Sequence, residues 1–264
     1  MRGRVLILER MSRSSRLTGG IALVTGAGSG LGEASALRLA ADGWSVVAAD
    51  VDDAALEALR GREPRIRAEH CDIQDADAVA RLAEDVGPVD RLVHAAAVSY
   101  LGSALGQPRD EFDAIWRINF LGTVQIVRAV VPGMVERGRG EVVLYSSLGG
   151  WVPARKLSAY ASSKAAVNAF AEVLEQECRG TGVTIRCVCP SQVDTPQFRR
   201  ISAQDPAATA HRKGMPVGTV VDAVERSLER KGLYVFPGGT AKATVLLKRH
   251  FPRTFGKILE RETR

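Results

Sequence analysis

Seven short apolar, β-branched runs alternate with helical patterns along this 264-residue chain, and this alternation limits its fold more than any other feature. The predicted strands lie at 20–25, 44–49, 66–71, 89–95, 141–146, 183–189 and 233–236. The predicted helices lie at 31–42, 52–60, 75–85, 109–137, 158–179 and 218–231. Strands that are apolar on both faces indicate a parallel sheet covered by helices. The pattern therefore predicts one doubly wound α/β domain with a seven-stranded parallel sheet.

The net charge of +6 is concentrated at the two ends of the chain. Residues 1–19 carry five arginines and one glutamate, and residues 242–264 carry seven lysines or arginines and two glutamates. The segment between them is slightly negative, which argues against a basic nucleic-acid-binding face on the body. We expect a disordered basic arm over 1–18, a core domain over 19–239 and a basic amphipathic tail over 240–264.

No apolar run approaches the ~20 residues of a membrane span. The first ten residues contain only four consecutive apolar residues, too few for a secretory signal, so we expect a cytoplasmic protein. The tail allows two interpretations, a helix packed on the body or on a second subunit, which we favour, and a segment that binds a membrane surface.

The cysteines and histidines predict no metal site. The four cysteines, Cys71, Cys178, Cys187 and Cys189, lack metal-ligand spacing, and no two histidines form an H-x-x-x-H pair. We expect buried, reduced thiols, with Cys187 and Cys189 on opposite faces of a strand.

A glycine-rich turn, TGAGSGLG over residues 25–32, joins the first predicted strand to the first predicted helix. Glycines allow a backbone to turn sharply and approach a pyrophosphate, whose charge is stabilised by a helix N-terminus. The turn follows T-G-x-x-x-G-x-G rather than G-x-G-x-x-G. By itself it is equally compatible with a tight connection that binds no cofactor.

Asp50, at the end of the second predicted strand, favours the cofactor interpretation. Its carboxylate can accept hydrogen bonds from ribose hydroxyls and would repel a 2′-phosphate. Neither Ser29 nor Val51 supplies a positive charge nearby, so NAD is favoured over NADP. Asp72, after the third strand, is expected either to bind the adenine amino group or to cap the next helix.

Tyr160 and Lys164 lie four residues apart on one face of a predicted helix, and Ser147 lies 13 residues before Tyr160. An ammonium group beside a phenol favours the phenolate and lowers the tyrosine pKa. A serine hydroxyl in the same pocket can hydrogen-bond the oxygen of a carbonyl or an alcohol. Such a Tyr–Lys pair is a weak signal alone, because exposed helices often carry one.

Taken together in this order, the motifs resemble those of the core short-chain dehydrogenase/reductase family over nearly all of residues 18–237. The resemblance implies a Rossmann-type sheet and hydride transfer between nicotinamide and an oxygen-bearing carbon. It implies that Tyr160 is the general acid/base, that Lys164 lowers its pKa and holds the nicotinamide ribose, and that Ser147 orients the reacting oxygen. Asn119 matches the residue that kinks the long helix and anchors a water leading to the lysine. Ser146 is the competing serine.

The resemblance also implies a set of NAD contacts. It places them at Gly26, Ser29, Gly30, Leu31, Asp50, Asp72, Ile73, Ala95, Ala96, Tyr160, Lys164, Pro190, Val193 and Thr195. Two motifs depart from the family: Ser191 replaces a glycine after Pro190, and His94-Ala95-Ala96-Ala97 replaces Asn-Asn-Ala-Gly. We expect His94 to replace the strand-linking hydrogen bond of the missing asparagine.

The expected activity is NAD(H)-dependent interconversion of a secondary alcohol and a ketone. The alternatives are an NADP(H)-dependent ketoreductase and a non-catalytic NAD-binding sensor. Small and apolar residues at 148–153 favour a hydrophobic substrate, whereas basic residues in the predicted lid at 196–217 leave an anionic or carrier-linked one open. The family resemblance implies a homodimer or homotetramer that assembles through helices 109–137 and 158–179.

Overall fold

The structure, a computed structural model, describes residues 17–205 and 214–256 and contains a seven-stranded parallel sheet. The sheet order is β3-β2-β1-β4-β5-β6-β7, which confirms the predicted doubly wound fold. The strands are β1 Ile21–Thr25, β2 Ser45–Asp50, β3 Arg67–His70, β4 Arg91–His94, β5 Gly140–Tyr145, β6 Val183–Val188 and β7 Tyr234–Val235.

Helices cover both faces of the sheet. They are α1 Gly30–Ala41, α2 Asp53–Arg62, α3 Ala76–Val86, α4 Arg109–Trp116, α5 Gly122–Glu136, α6 Ser158–Glu177, α7 Pro196–Gln204, α8 Val217–Leu228 and α9 Gly239–His250. The core consists of two layers because successive strand residues point to opposite faces. Leu23, Leu92 and Leu144 pack on one face, and Val24 and Val93 pack on the other.

The helix predicted over 109–137 is interrupted by a π-helical segment at Arg117–Leu121 that contains Asn119. Wider turns of this kind occur often at functional sites. By length and apolar composition, Arg109–Glu136 is the one helix in the described ranges that could cross a membrane. It nevertheless packs on the sheet through buried residues such as Ile126 and Met134, as core helices do.

A buried ion cluster lies at the end of the sheet where β4 and β5 begin. Arg91 Nε donates to Glu141 Oε2 at 2.6 Å, and Arg91 Nη1 donates to Glu225 Oε1 at 3.0 Å. The guanidinium also lies 4.4 Å from the ring centroid of Trp44. These three charged side chains are at most 7% exposed, so each depends on the others for neutralisation.

One segment without a predicted helix is helical in the structure, since the first part of the predicted lid forms α7. The tail begins with α9, in agreement with the helix that we favoured for it. Residues 206–213, most of the predicted N-terminal arm and residues 257–264 lie outside the described residues. Leu17, at the end of that arm, donates its backbone N–H to Glu141 Oε1 at 2.9 Å.

Candidate active site

The glycine-rich turn lies where the carboxyl ends of β1, β2 and β4 meet. Gly26 has φ +70°, and a Cβ at this position would be 2.4 Å from the backbone nitrogen of Ala96. A Cβ at Gly32 would be 1.9 Å from the carbonyl oxygen of Gly26. These contacts exclude side chains and leave a bare backbone cradle beside the N-terminus of α1, which suits a pyrophosphate.

Asp50 ends β2 and faces this cradle. Its Oδ2 accepts from the Gly28 N–H at 2.8 Å, and its Oδ1 accepts from the Val51 and Asp52 N–H groups at 2.8 and 3.1 Å. Backbone amides therefore fix the carboxylate at the edge of the turn, and no basic side chain is among its described partners. A carboxylate held at this place could accept hydrogen bonds from ribose hydroxyls.

Asp72 does not cap α3, so the capping interpretation was wrong. The N-cap is Asp75, whose carboxylate accepts from the Asp77 and Ala78 N–H groups. Asp72 Oδ1 instead accepts from the Gln74 N–H at 2.9 Å. The neighbouring Ile73 is buried, and its side chain and carbonyl oxygen lie against Gly122 at the start of α5.

His94 links β4 to β1, as its position in place of an asparagine predicted. Its Nδ1 lies 2.6 Å from Thr25 Oγ1, and these residues are register partners in the sheet. Burial, together with the nearby Lys164 charge, lowers the pKa of His94 to about 3. The imidazole is therefore neutral at physiological pH.

The low pKa of His94 predicts a loss of stability in acid. The unfolded chain protonates His94 below pH ~6.5 while the folded protein stays neutral down to about pH 3, so stability falls as the pH drops through this window. His94→Asn should remove a contribution of roughly 2 kcal/mol from the stability lost between pH 7 and 5. Urea unfolding at both pH values measures the effect, with His70→Asn as an exposed control. An identical pH dependence in His94→Asn and the wild type would contradict the assignment.

The end of β6 closes the cradle from the other side. Thr195 is the N-cap of α7, and its Oγ1 accepts from the Phe198 N–H at 3.2 Å. Its methyl group would lie 3.1 Å from a Cβ at Gly30, so it borders the glycine-rich turn directly. Pro190 is buried and its carbonyl accepts from Leu148 N–H at 2.8 Å, while Val193 pairs with Met215.

Ser147 and Tyr160 lie next to each other, because a Cβ at Gly149 would be 3.3 Å from Ser147 Oγ and 3.6 Å from the Tyr160 ring. Ser147 also caps a short 3₁₀ turn by accepting from the Gly149 N–H at 3.0 Å. Ser146 is instead turned inward and donates to the Lys164 carbonyl at 3.1 Å. The two serines therefore have different surroundings, and Ser147 is the one that lies beside Tyr160.

The pKa of Tyr160 is raised in this structure, contrary to the expectation that Lys164 would lower it. Burial is the main cause, and the neighbouring Ser147 side chain offsets it only in part. The Lys164 ammonium lies 5.9 Å from the Tyr160 ring centroid and donates to the Tyr145 carbonyl at 2.9 Å. Burial also lowers the pKa of Lys164 to about 8.

Asn119 is fully buried in the π-helical segment and joins it to two neighbouring elements. Its Oδ1 accepts from the Val98 N–H at 2.8 Å, and its Nδ2 donates to the Val98 carbonyl at 2.9 Å. Nδ2 also donates at 3.2 Å to Oγ of Ser163, the residue that precedes Lys164 on α6. Asn119 therefore fixes the loop after β4 against α6.

Cys187 and Cys189 lie on one face of β6, so the expectation of opposite faces was wrong. Side chains alternate along a strand, and residues two apart share a face. Both thiols are buried and lie 3.4 and 3.6 Å from Asn168 Oδ1 on α6. All four cysteines are free, and the described residues contain no group of metal ligands.

A cavity of about 440 Å³ lies beside the entry to α6, and the sequence motifs did not point to it. Its lining consists of Tyr100, Leu101, Gly102, Ser103, Glu111, Lys156, Gln204 and Asp205. Lys156 has φ +62°, unusual for a residue with a side chain, and its ammonium is 2.6 Å from Asp205 Oδ2. The left-handed backbone and the ion pair of Lys156 both depend on tertiary contacts, so no sequence motif indicates where this side chain lies.

The short chain dehydrogenase family model matches residues 20–206, which include the glycine-rich turn, Ser147, Tyr160 and Lys164. This chain belongs to the short-chain dehydrogenase/reductase family. It is 33% identical to 1-deoxy-11-beta-hydroxypentalenate dehydrogenase of Streptomyces exfoliatus over 84% of each chain. It is 37% identical to the probable oxidoreductase EphD of Mycobacterium tuberculosis over 65% of this chain, but the match spans only 31% of EphD.

Two solved structures share the fold of this short-chain dehydrogenase. A short chain dehydrogenase from Burkholderia cenocepacia in complex with NADP has a TM-score of 0.81 at 24% identity, covering 91% of this chain and 97% of that one. A relative from Burkholderia phymatum in complex with NAD has a TM-score of 0.80 at 24% identity, covering 89% and 95%. At this identity the likeness concerns the fold alone, and the two neighbours bind different dinucleotides.

Proposed function

We propose that the protein is an NAD(H)-dependent dehydrogenase that interconverts a secondary alcohol and a ketone. The observation that carries this proposal is the juxtaposition of Ser147 and Tyr160, which both lie against Gly149, with the buried Lys164 ammonium 5.9 Å from the Tyr160 ring centroid. The relative from Streptomyces exfoliatus, named as a dehydrogenase, supports the same class of reaction.

The residues of the site divide the chemistry between them. Bound nicotinamide would accept a hydride from the alcohol carbon, or supply one to the carbonyl carbon. In ketone reduction, Tyr160 donates its phenolic proton to the oxygen of the substrate, and in alcohol oxidation its phenolate takes that proton back. The raised pKa of Tyr160 keeps the phenol protonated at neutral pH, ready for reduction. Ser147 hydrogen-bonds the reacting oxygen.

Two residues position this pair. Lys164, fixed to the Tyr145 carbonyl, would hold the nicotinamide ribose. Asn119 holds the loop after β4 against α6 and so helps to keep the part of α6 that carries Tyr160 in place. The remaining proposed NAD contacts, Ser29, Leu31, Asp72, Ile73, Ala95 and Ala96, line the turn and the ends of β3 and β4.

Asp50 supports NAD over NADP, and changing its charge provides a direct test. Asp50→Ser should lower kcat/KM with NAD by roughly 10–100-fold, because charge-assisted hydrogen bonds are each worth about 1.5–3 kcal/mol. It should also raise activity with NADP, since the repulsion of a 2′-phosphate is gone. Asp53→Asn, which changes an exposed carboxylate at the start of α2, serves as the control. An unchanged NAD/NADP ratio in Asp50→Ser would rule out this role.

In this proposal the two ends of the substrate contact surfaces of different polarity. Small and apolar residues at 148–153 follow Ser147 and suit an apolar carbon skeleton near the reacting carbon. The cavity lined by Glu111, Lys156 and Asp205 suits a hydrogen-bonding group at the far end of the molecule. We therefore propose a hydrophobic secondary alcohol or ketone that carries a polar group remote from the reaction centre.

We further propose a homodimer or homotetramer in the cytoplasm. The helices expected at the interfaces expose large apolar residues, namely Leu121, Val135 and Val173. The alternative is a non-catalytic NAD-binding sensor on the same fold. It predicts that the protein binds NADH but turns over no alcohol or ketone, whereas the dehydrogenase predicts turnover.

A further inference from the structure

The outer surface of α9 and the residue after it carry an exposed apolar cluster. Leu246, Leu247 and Phe251 are 46%, 37% and 60% exposed. They are three of the eight large hydrophobic residues exposed in the described part of the chain, and they fall within six positions. We call this surface, with the basic residues described next, the tail face.

Basic side chains flank the apolar cluster. Lys242, Arg249, His250 and Arg253 are all exposed, and the stretch 239–256 contains no Asp or Glu. Lys242 and Arg249 lie four residues before and three residues after Leu246, so they share its side of the helix. The tail face therefore places positively charged side chains directly beside exposed apolar ones.

The body of the protein fixes the direction in which the tail face points. Ala241 and Phe255 are buried at the two ends of the segment. Between them, Lys248 Nζ donates to the Trp151 carbonyl at 2.5 Å. The inner side of α9 is thus attached to the domain, and the outer side stays exposed because nothing within the described chain covers it.

The charge of the tail face decides between possible partners. In a two-fold dimer built on this surface, each basic flank would face its own copy, and no acidic residue of the segment would neutralise it. An anionic lipid surface supplies the opposite charge and an apolar layer for Leu and Phe side chains. We propose that the tail face binds peripherally to membranes that contain anionic lipids.

The proposal does not depend on the enzymatic activity, and vesicle sedimentation of the full chain tests it. The wild type should bind vesicles of phosphatidylcholine mixed with phosphatidylglycerol, bind pure phosphatidylcholine weakly, and dissociate as salt is added. The double variant Leu246→Ser/Phe251→Ser should lose at least about tenfold in binding, the equivalent of 1.4 kcal/mol. Lys242→Ser/Arg249→Ser should bind less tightly and with a weaker salt dependence.

Leu105→Ser is the matched control, because Leu105 is 103% exposed but lies far along the chain in the loop before α4. It should bind vesicles as the wild type does, and unchanged thermal unfolding of all variants would show that the fold is kept. Failure of the wild type to bind the anionic vesicles would overturn the proposal. So would a changed oligomeric state of Leu246→Ser/Phe251→Ser in analytical ultracentrifugation with no change in vesicle binding, which would identify a second copy as the partner.

Discussion

Tyr160→Phe is expected to lower kcat by about 10²–10⁴-fold while NADH binds almost as tightly as to the wild type. The substitution removes the only group that the proposed mechanism uses to exchange a proton with the substrate oxygen. It leaves the ring in place against Lys164 and Gly149, so the pocket should keep its shape. Steady-state turnover followed by nicotinamide absorbance, together with NADH titration by fluorescence, separates the two effects.

Tyr234→Phe provides the matched control for that experiment. Tyr234 on β7 also loses a hydroxyl in a hydrogen bond, donated to Glu172 Oε1 at 2.6 Å. Glu172 lies on α6 as well, but further along the helix than Tyr160 and Lys164, and it has no part in the proposed proton transfer. Its turnover should stay within a few-fold of the wild type. Equal turnover of Tyr160→Phe and the wild type would refute the acid/base role.

Arg91→Met is expected to destabilise the protein by about 3–5 kcal/mol. The reason is that Glu141 and Glu225, both nearly inaccessible to solvent, would lose the cation that neutralises them. Burial already raises the pKa of Glu141 despite the adjacent guanidinium. Denaturant unfolding at pH 7 measures the loss.

Two further sets of variants distinguish the loss of the buried ion pairs from a general effect of removing an arginine. Arg179→Met breaks an exposed pair with Glu175 on α6 and should cost at most about 1 kcal/mol. Replacing Glu141 and Glu225 with Leu in the Arg91→Met background should recover much of the stability, because no buried charge then remains unpaired. A loss below about 1 kcal/mol in Arg91→Met would contradict the account of this cluster.

The strands and their doubly wound arrangement were predictable because the signal is local. Runs such as 20–25 and 44–49 are largely apolar on both faces, and alternation with helices leaves few sheet topologies. The glycine-rich turn and Asp50 could also be predicted from the sequence. Each follows or ends a strand, and parallel sheets bind ligands at the carboxyl ends of their strands.

Other features depend on contacts between segments far apart in sequence. The raised pKa of Tyr160 reflects its burial, and the position of Lys164 is set by the Tyr145 carbonyl on another strand. The cavity forms only where Tyr100, Lys156 and Asp205 come together from three segments. The sequence pattern does not distinguish Asp72 from Asp75 as the helix cap, because that choice depends on where α3 begins.

The most direct test of the central claim is turnover of a panel of hydrophobic ketones and secondary alcohols with NAD(H) and NADP(H) in parallel. The proposed function predicts activity that prefers NAD(H), with the highest kcat/KM for members that carry a remote polar group. Tight NADH binding without turnover of any panel member would contradict it and favour the sensor. Activity with NADP(H) alone would keep the reaction and overturn the role given to Asp50.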